Sequence, residues 1–244
     1  PRLTIGYVPD CVNGYEFSYT GRFQWNRGAI ASSADGDLRT ILRAIPPVDE
    51  SSLSAFQDAN IQSQFQHSEY TSVEVSRTHV GWDIAKLLAG IRYIDFSDKF
   101  AIFSKSDTEL GRLLSRADNR MIGFQLGMDL LYPICTNLYT DARGRAGLFA
   151  NFASMDLLVL NDGNLTAAVH DKSTDYSAVL EFGSGLKYRF CDALAIRCGW
   201  EAWWFGRLAA SEDQFRRGVV STRSVRINDD FIVVGVNIGA EFRY

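Results

Sequence analysis

The sequence is short of the features that mark several common classes of protein. It has no apolar run near the ~18–20 residues that a membrane-spanning helix needs, which excludes a helical membrane protein. Its net charge is only −4, so we expect no basic surface for nucleic acid. Proline is rare, with 5 residues, while Phe, Tyr and Trp make up 13% of the chain, and this balance leans away from a helical enzyme.

Motifs for catalysis and for metal or cofactor binding are also missing. The three histidines, His67, His79 and His170, are scattered without metal-ligand spacing, so we interpret them as polar surface residues. There is no glycine-rich phosphate loop, no HExxH, no CxxC and no serine in a nucleophile context. We therefore predict no metal, no cofactor and no enzymatic activity.

What the sequence does contain is strict alternation of apolar and other residues. In FIVVGVNIGAEFRY, residues 231–244, every second residue from Ile232 to Tyr244 is apolar or aromatic. This period of two is typical of a β-strand with one apolar face. Nine segments show it, several with bulky aromatic residues on the apolar face: 2–8, 15–25, 69–80, 87–93, 121–130, 138–150, 177–190, 194–204 and 231–244.

The links between these segments alternate in length. The short links are 9–14, 81–84, 132–136 and 191–193, and the long ones are 26–68, 98–117, 152–174 and 206–228. Short turns on one side and long loops on the other are typical of an outer-membrane barrel, whose apolar face meets lipid. A soluble β-sandwich also alternates, but it would not ordinarily carry an aromatic face on nearly every strand. We predict an all-β fold with a single domain over 1–244: an antiparallel transmembrane β-barrel of about ten strands, with short periplasmic turns and long outer loops.

The first long link, 26–68, contains two stretches with helix-like spacing, DGDLRTILRAIPP and SSLSAFQDAN. We interpret both as short helices of an outer loop. The alternative is a plug that folds into the barrel lumen.

Charged residues lie on the face opposite the apolar one, where a barrel would turn them into its lumen. About eight to ten strands leave room for little more than side chains, and an unpaired buried charge is costly, so we expect these charges to pair across a narrow lumen. In a wider barrel they would line water instead. The predicted lumen-facing charges are Glu16, Arg22, Arg92, Asp129, Asp141, Arg143, Arg145, Glu181, Lys187, Arg189, Arg197, Glu201, Glu241 and Arg243.

An odd number of strands conflicts with the even number found in bacterial single-chain barrels. We therefore expect one further strand, either upstream of Pro1 or hidden in a long link. No basic, apolar signal sequence is present at Pro1, so we expect the chain to start after processing or inside a longer protein.

Several segments resemble a known family. They are PRLTIGY with NGYEFSYTG, LLAGIRYIDFSDKF and NRMIGFQLGMDL. They are similar to strands of the β-barrel porin-7 family of planctomycete outer membranes, and the likeness covers most of the chain. The positions that match the family's glycine-rich strand patterns are Gly90, Arg92, Tyr93, Phe100, Asn119, Gly123, Gln125 and Gly127. The resemblance implies a Gram-negative outer-membrane barrel with no known substrate. Family members have an aromatic-rich strand upstream of the RLTIGY-like segment, which this sequence lacks.

The final strand resembles the C-terminal signal that the barrel-assembly machinery of Gram-negative bacteria recognises. The matching positions are Ile238, Ala240, Phe242 and Tyr244. The alternative is an ordinary terminal strand of a soluble sheet.

Cysteines fall in the predicted periplasmic turns, at Cys11, Cys135 and Cys191. Because the periplasm is oxidising, we predict a Cys135–Cys191 disulfide, with Cys11 as a competing partner. Cys198 lies too far along its strand from Cys191 to bond with it, and we expect it to face lipid.

Two functions are compatible with this pattern. The paired charges favour a sealed barrel that acts as a structural or assembly subunit of the outer membrane and contacts lipid, other envelope proteins or copies of itself. The family resemblance favours a porin for passive diffusion of small polar solutes. A soluble all-β binding domain is a weaker third possibility.

Overall fold

A computed structural model describes residues 1–10, 12–40, 50–82, 84–214 and 225–243. These residues form one antiparallel sheet of nine strands, in which each strand pairs with its neighbour in sequence. The prediction of an all-β antiparallel fold is therefore confirmed. The strands are β1 Arg2–Tyr7, β2 Asn13–Ser32, β3 Ile61–Trp82, β4 Ala85–Lys105, β5 Leu110–Pro133, β6 Leu138–Asn161, β7 Asn164–Arg189, β8 Leu194–Leu208 and β9 Asp229–Phe242.

A short 3-10 helix, Glu50–Phe56, precedes β3. Within the described ranges, no helix is long and apolar enough to cross a membrane.

The sheet curls, so that side chains from its first strands meet side chains from its last. The ring centroids of Phe23 on β2 and Trp203 on β8 are 5.6 Å apart, and those of Phe96 on β4 and Phe231 on β9 are 5.1 Å apart. We call this concave side the inner face and the opposite side the outer face. In the described sheet, β1 and β9 are the two edge strands.

The predicted long loops at 98–117 and 152–174 are wrong, because strands occupy most of both segments. Only residues 106–109 join β4 to β5, and only Asp162 and Gly163 join β6 to β7. Asp162 and Gly163 both have positive φ, 49° and 79°, as the two central residues of a type I′ hairpin turn require. The Asp-Gly pair is a usable sequence signal, but alternation beside it is hidden because residues 157–160 are apolar on both faces.

Strand β2 contains a β-bulge, so one predicted charge and two aromatic residues lie on the face opposite to the one that strict alternation predicts. The register shifts between Thr20 and Phe23, and Arg22 has φ 44°. The extra residue turns Phe23 and Trp25 to the inner face, where they pack against buried residues. Arg22 was predicted to face inward, but its side chain is 80% exposed and lies 3.9 Å from Glu69 on the outer face.

In the described part of the first long link, the 3-10 helix Glu50–Phe56 overlaps the second predicted helical stretch, and it packs on the inner face, as the plug alternative expects, and not in an outer loop. Leu53 and Phe56 of the 3-10 helix pack against Ile102 and Leu113. A Cβ at Gly111 would lie only 3.0 Å from the Phe56 ring, so glycine allows this close approach. The link is also shorter than predicted, because β2 continues to Ser32 and β3 begins at Ile61. Most of the first predicted helix, 35–47, falls outside the described residues.

The predicted Cys135–Cys191 disulfide does not form, because both cysteines are free. One lies in the β5–β6 turn and the other in the β7–β8 turn. Two inter-strand spacings, ~10 Å in total, therefore separate them, whereas a disulfide needs Cα atoms within ~7 Å. Cys11 lies outside the described residues, and Cys198 is exposed.

In the β1–β2 turn, the Asp10 carboxylate accepts a hydrogen bond from the Val12 amide at 2.8 Å. Hydrogen bonds from the amides of Asn13 and Val12 lower the pKa of Asp10. This side chain thus organises the turn in its charged form.

Candidate functional site

The inner face carries three groups of paired charges in the half next to the short turns. In the first group, Lys86 Nζ lies 2.5 Å from Glu16 Oε1 and 3.1 Å from Asp129 Oδ2. Arg145 Nη1 lies 3.3 Å from the same Asp129 carboxylate. Sequence reasoning missed Lys86 because the β4 segment was taken to begin one residue later, although the alternation of Leu88, Gly90 and Arg92 places it inward.

The second group joins strands from opposite sides of the curl. Arg92 Nη1 on β4 lies 2.6 Å from Glu181 Oε1 on β7. Arg2 on β1 lies 3.9 Å from Glu181 and 3.3 Å from Glu201 on β8. Arg143 also pairs with Glu201. Arg2, at the beginning of the first strand, is a second contributor that sequence reasoning did not include.

The third group lies nearest the turns of β6–β9. Arg197 Nη2 lies 2.5 Å from Asp141 Oδ1, Lys187 pairs with Glu241, and Arg243 Nε lies 2.7 Å from Glu241. Arg189 stacks on the Tyr139 ring at 4.9 Å. With these three groups, every predicted inward charge except Arg22 lies in an ion pair or a cation–π contact on the inner face.

An aromatic layer lies beyond the charges. The Tyr70 ring lies 5.3 Å from Trp203 and 5.5 Å from Phe205, between ring centroids, and Phe205 in turn lies 6.1 Å from Phe96. The Tyr70 hydroxyl accepts a hydrogen bond from Arg92, so this residue joins the aromatic layer to the charges. All four rings are nearly or fully buried.

Beyond the aromatic layer, the last two residues of β8 and the three that follow, 207–211, cross the inner face from β7 to β4; we call them the inner strap. Ser177 Oγ on β7 donates to Arg207 O at 2.6 Å, and Ser115 Oγ on β5 donates to Ser211 O at 2.6 Å. Between them, Asn119 donates to Ala209 O and accepts from Ala209 N, both at 2.8 Å. The strap thus obtains from side chains the hydrogen bonds that a neighbouring strand would supply.

Asp98 holds the end of the strap. Its carboxylate is fully buried and accepts from Ser211 N at 3.0 Å, Ser68 Oγ at 2.7 Å and Gln66 Nε2 at 3.1 Å. No cation in the described part of the chain forms an ion pair with it, so its hydrogen bonds come from these uncharged donors. Sequence reasoning missed the strap because it assigned residues 206–228 to an outer loop.

The outer face has the opposite chemistry in the same half of the sheet. Its side chains are apolar and exposed, for example Val236 at 80%, Phe124 at 75% and Leu126 at 67%. Tyr7 and Tyr15 pair beside the first short turn, and Tyr93 and Tyr176 lie at the other limit of the apolar zone. We call this zone the apolar belt. Ile238, Ala240 and Phe242 lie in it on β9, whereas Tyr244 lies outside the described residues.

No group of three or more potential metal-binding side chains occurs among the residues that the structure describes. Neither the known family models nor the curated proteins contain a match to this chain.

Proposed function

We propose that this chain is an outer-membrane β-barrel protein with a sealed interior, and that it serves as a structural or assembly subunit of the outer membrane. The main support for the proposal is that charges are paired on the inner face while the apolar belt is exposed on the outer face. This is the reverse of the arrangement in a soluble protein. Soluble monomers rarely expose so large an apolar surface, whereas a membrane barrel requires one.

The height of the apolar belt fits a bilayer. On β4 it ends at Tyr93, and on β5 it extends from Ile122 to Tyr132, which are both exposed. From Ile122 to Tyr132 the β5 strand is about 33 Å long at ~3.3 Å per residue, or roughly 23 Å high when tilted by 45°, close to the ~25 Å apolar band of outer-membrane barrels. Tyrosines at both limits correspond to the aromatic girdles of such proteins.

Barrel closure is part of the proposal. Unpaired backbone groups are not tolerated in the hydrocarbon region, so the free edges of β1 and β9 need a partner there. Because both have odd positions in an antiparallel order, they run parallel to each other. A tenth strand antiparallel to both would close the barrel. Gly235 and Gly239 on β9 leave open space where its side chains could fit.

The filled inner face favours a sealed barrel over a diffusion porin. Paired charges, the aromatic layer, the inner strap and the 3-10 helix succeed one another along it. Assembly would use the barrel-assembly machinery, and the resemblance to the β-barrel porin-7 family agrees with this location.

Quenching by brominated lipids tests membrane insertion. Trp200 points outward within the apolar belt and is 44% exposed, whereas Trp203 points inward and is 6% exposed. In vesicles with lipids brominated on the acyl chains, we expect Trp200→Phe to remove much more of the quenching than Trp203→Phe. Equal quenching in both variants, or none in the wild-type protein, would contradict insertion through this belt.

A further inference from the structure

A second apolar surface lies on the outer face, far from the short turns. Five of its residues are register neighbours across β3 to β7, so they form one continuous row. Its larger side chains are exposed, with Phe65 at 48%, Phe103 at 42% and Leu114 at 40%. We call this surface the distal patch; it consists of Phe65, Ala101, Phe103, Leu114, Leu158 and Ala168.

The distal patch cannot lie in the same bilayer as the apolar belt. On β4 the belt ends at Tyr93, and the outward residues Asp95, Ser97 and Lys99 separate it from Ala101. The strand from Leu87 to Phe103 is about 50 Å long at ~3.3 Å per residue, or roughly 37 Å high when tilted by 45°. That exceeds the ~25 Å apolar band of an outer-membrane barrel.

The patch also has depth. Together with its neighbours it lines a groove of about 680 Å³, because Ala101 and Ala168 are small beside Phe65 and Leu158. This volume lies in the range of sites that bind ligands or side chains of a partner.

Cations dominate the charge around the patch. Lys99, Lys105, Arg112 and Arg116 lie on the outer faces of β4 and β5. Arg116 pairs with Asp118 at 2.9 Å, and the nearby Asp156 pairs with His170 at 2.6 Å. Lys99 and Lys105 form no ion pair with any residue that the structure describes. A basic rim on a chain of net charge −4 indicates an acidic partner.

We propose that the distal patch docks an acidic amphipathic segment of another envelope protein. This inference rests on the proposed function, since it names the partner class of the structural subunit. Apolar side chains of the segment enter the groove, and its carboxylates meet Lys99, Lys105 and Arg112. A second copy of this chain is a poor occupant, because a two-fold contact would bring the same cations together.

The test uses the full chain folded in detergent and three synthetic peptides of equal length and apolar content. One is acidic and amphipathic, one is basic and amphipathic, and one has the acidic composition in scrambled order. Fluorescence anisotropy measures their binding. We expect the acidic amphipathic peptide to bind about tenfold more tightly than the other two, which corresponds to ~1.4 kcal/mol.

Charge-reversal variants test whether the cations around the distal patch contact the peptide. The double variant Lys99→Glu/Arg112→Glu should lose about tenfold in affinity for the acidic peptide and gain affinity for the basic one. Lys172→Glu, an exposed charge reversal on β7 away from the patch, should bind as the wild type does. Leu114→Asp should abolish binding.

Several results would overturn the proposal. The first two are an absence of peptide binding and peptide binding that Lys99→Glu/Arg112→Glu does not change. The third is a dimer in sedimentation that the Leu114→Asp variant does not form. The fourth is saturable binding of anionic lipid vesicles through the same cations. Failure of the proposed function would show separately, as a chain that folds without detergent and is not quenched by brominated lipids.

Discussion

At the scale of single residues, the buried inner charges depend on their partners. Glu181 has an 8% exposed side chain and faces both Arg92, 2% exposed, and Arg2. Removing one member of such a group leaves the others charged in a poorly solvated place, which is more damaging than the loss of one contact.

Glu181→Gln should therefore lower the free energy of unfolding by about 3–5 kcal/mol, because Arg92 and Arg2 lose their shared carboxylate. Urea unfolding of the detergent-folded protein, followed by tryptophan fluorescence, measures the change. Glu212→Gln is the matched control, since Glu212 is exposed and forms no ion pair with a described residue. Equal stabilities for the two variants would contradict the importance of this group.

Most inner charges could be predicted from the sequence, because the face of a residue follows from the parity of its position within a strand. This rule fails where a β-bulge adds a residue to one strand. Arg22, Phe23 and Trp25 were misplaced because the bulge at residues 21–22 has no mark in the alternation itself. Lys86 was missed because it lies at a strand end, where boundaries are uncertain. Arg2 begins the predicted segment 2–8, and the alternation of Leu3, Ile5 and Tyr7 already placed it inward.

At the scale of elements, the strands are longer and the loops fewer than the pattern indicated. The alternation was recognised where the outward residues are apolar, and it was lost where they become polar, as at Asp95, Ser97 and Lys99. The inner strap was unpredictable for a different reason. Its contacts with Asp98, Asn119 and Ser177 join residues that are distant in sequence, and no local pattern records them.

The strap should depend on Asp98 more than on apolar packing. Asp98→Ala removes the acceptor for Ser211 N and Oγ and leaves these donors buried, which costs about 1–3 kcal/mol. We expect hydrogen exchange at the Ser211 amide to become at least tenfold faster, by mass spectrometry. Ser104→Ala is the control, because Ser104 is equally buried on β4 but receives only a 3.4 Å hydrogen bond from Gln62. Unchanged protection in Asp98→Ala would contradict a strap held by this carboxylate.

The apolar belt makes a prediction that separates a membrane protein from a soluble one. Leu126 is 67% exposed and lies near the middle of the belt. In water, Leu126→Arg should change stability by less than about 0.5 kcal/mol. In a bilayer it should cost about 2–4 kcal/mol.

Unfolding titrations in lipid vesicles measure this difference. The control is Ile30→Arg, at a residue that is 79% exposed but lies outside the belt. A neutral Leu126→Arg would show that the belt does not face lipid.

At the scale of the whole molecule, one curled sheet presents three chemistries: paired charges inside, an apolar belt outside, and a basic-rimmed patch beyond the belt. The all-β antiparallel architecture was predictable because nine alternating segments are a global signal. The filling of the inner face was not, since both the strap and the 3-10 helix come from links without alternation. That filling supports our proposal of a sealed barrel.

Conductance across a planar lipid bilayer tests the sealed barrel most directly. The purified full chain is inserted after its folding has been shown by heat-dependent gel mobility. We predict a silent bilayer under conditions in which a known porin of similar size gives current steps. Discrete steps that scale with salt concentration would contradict the sealed interior and identify a diffusion porin.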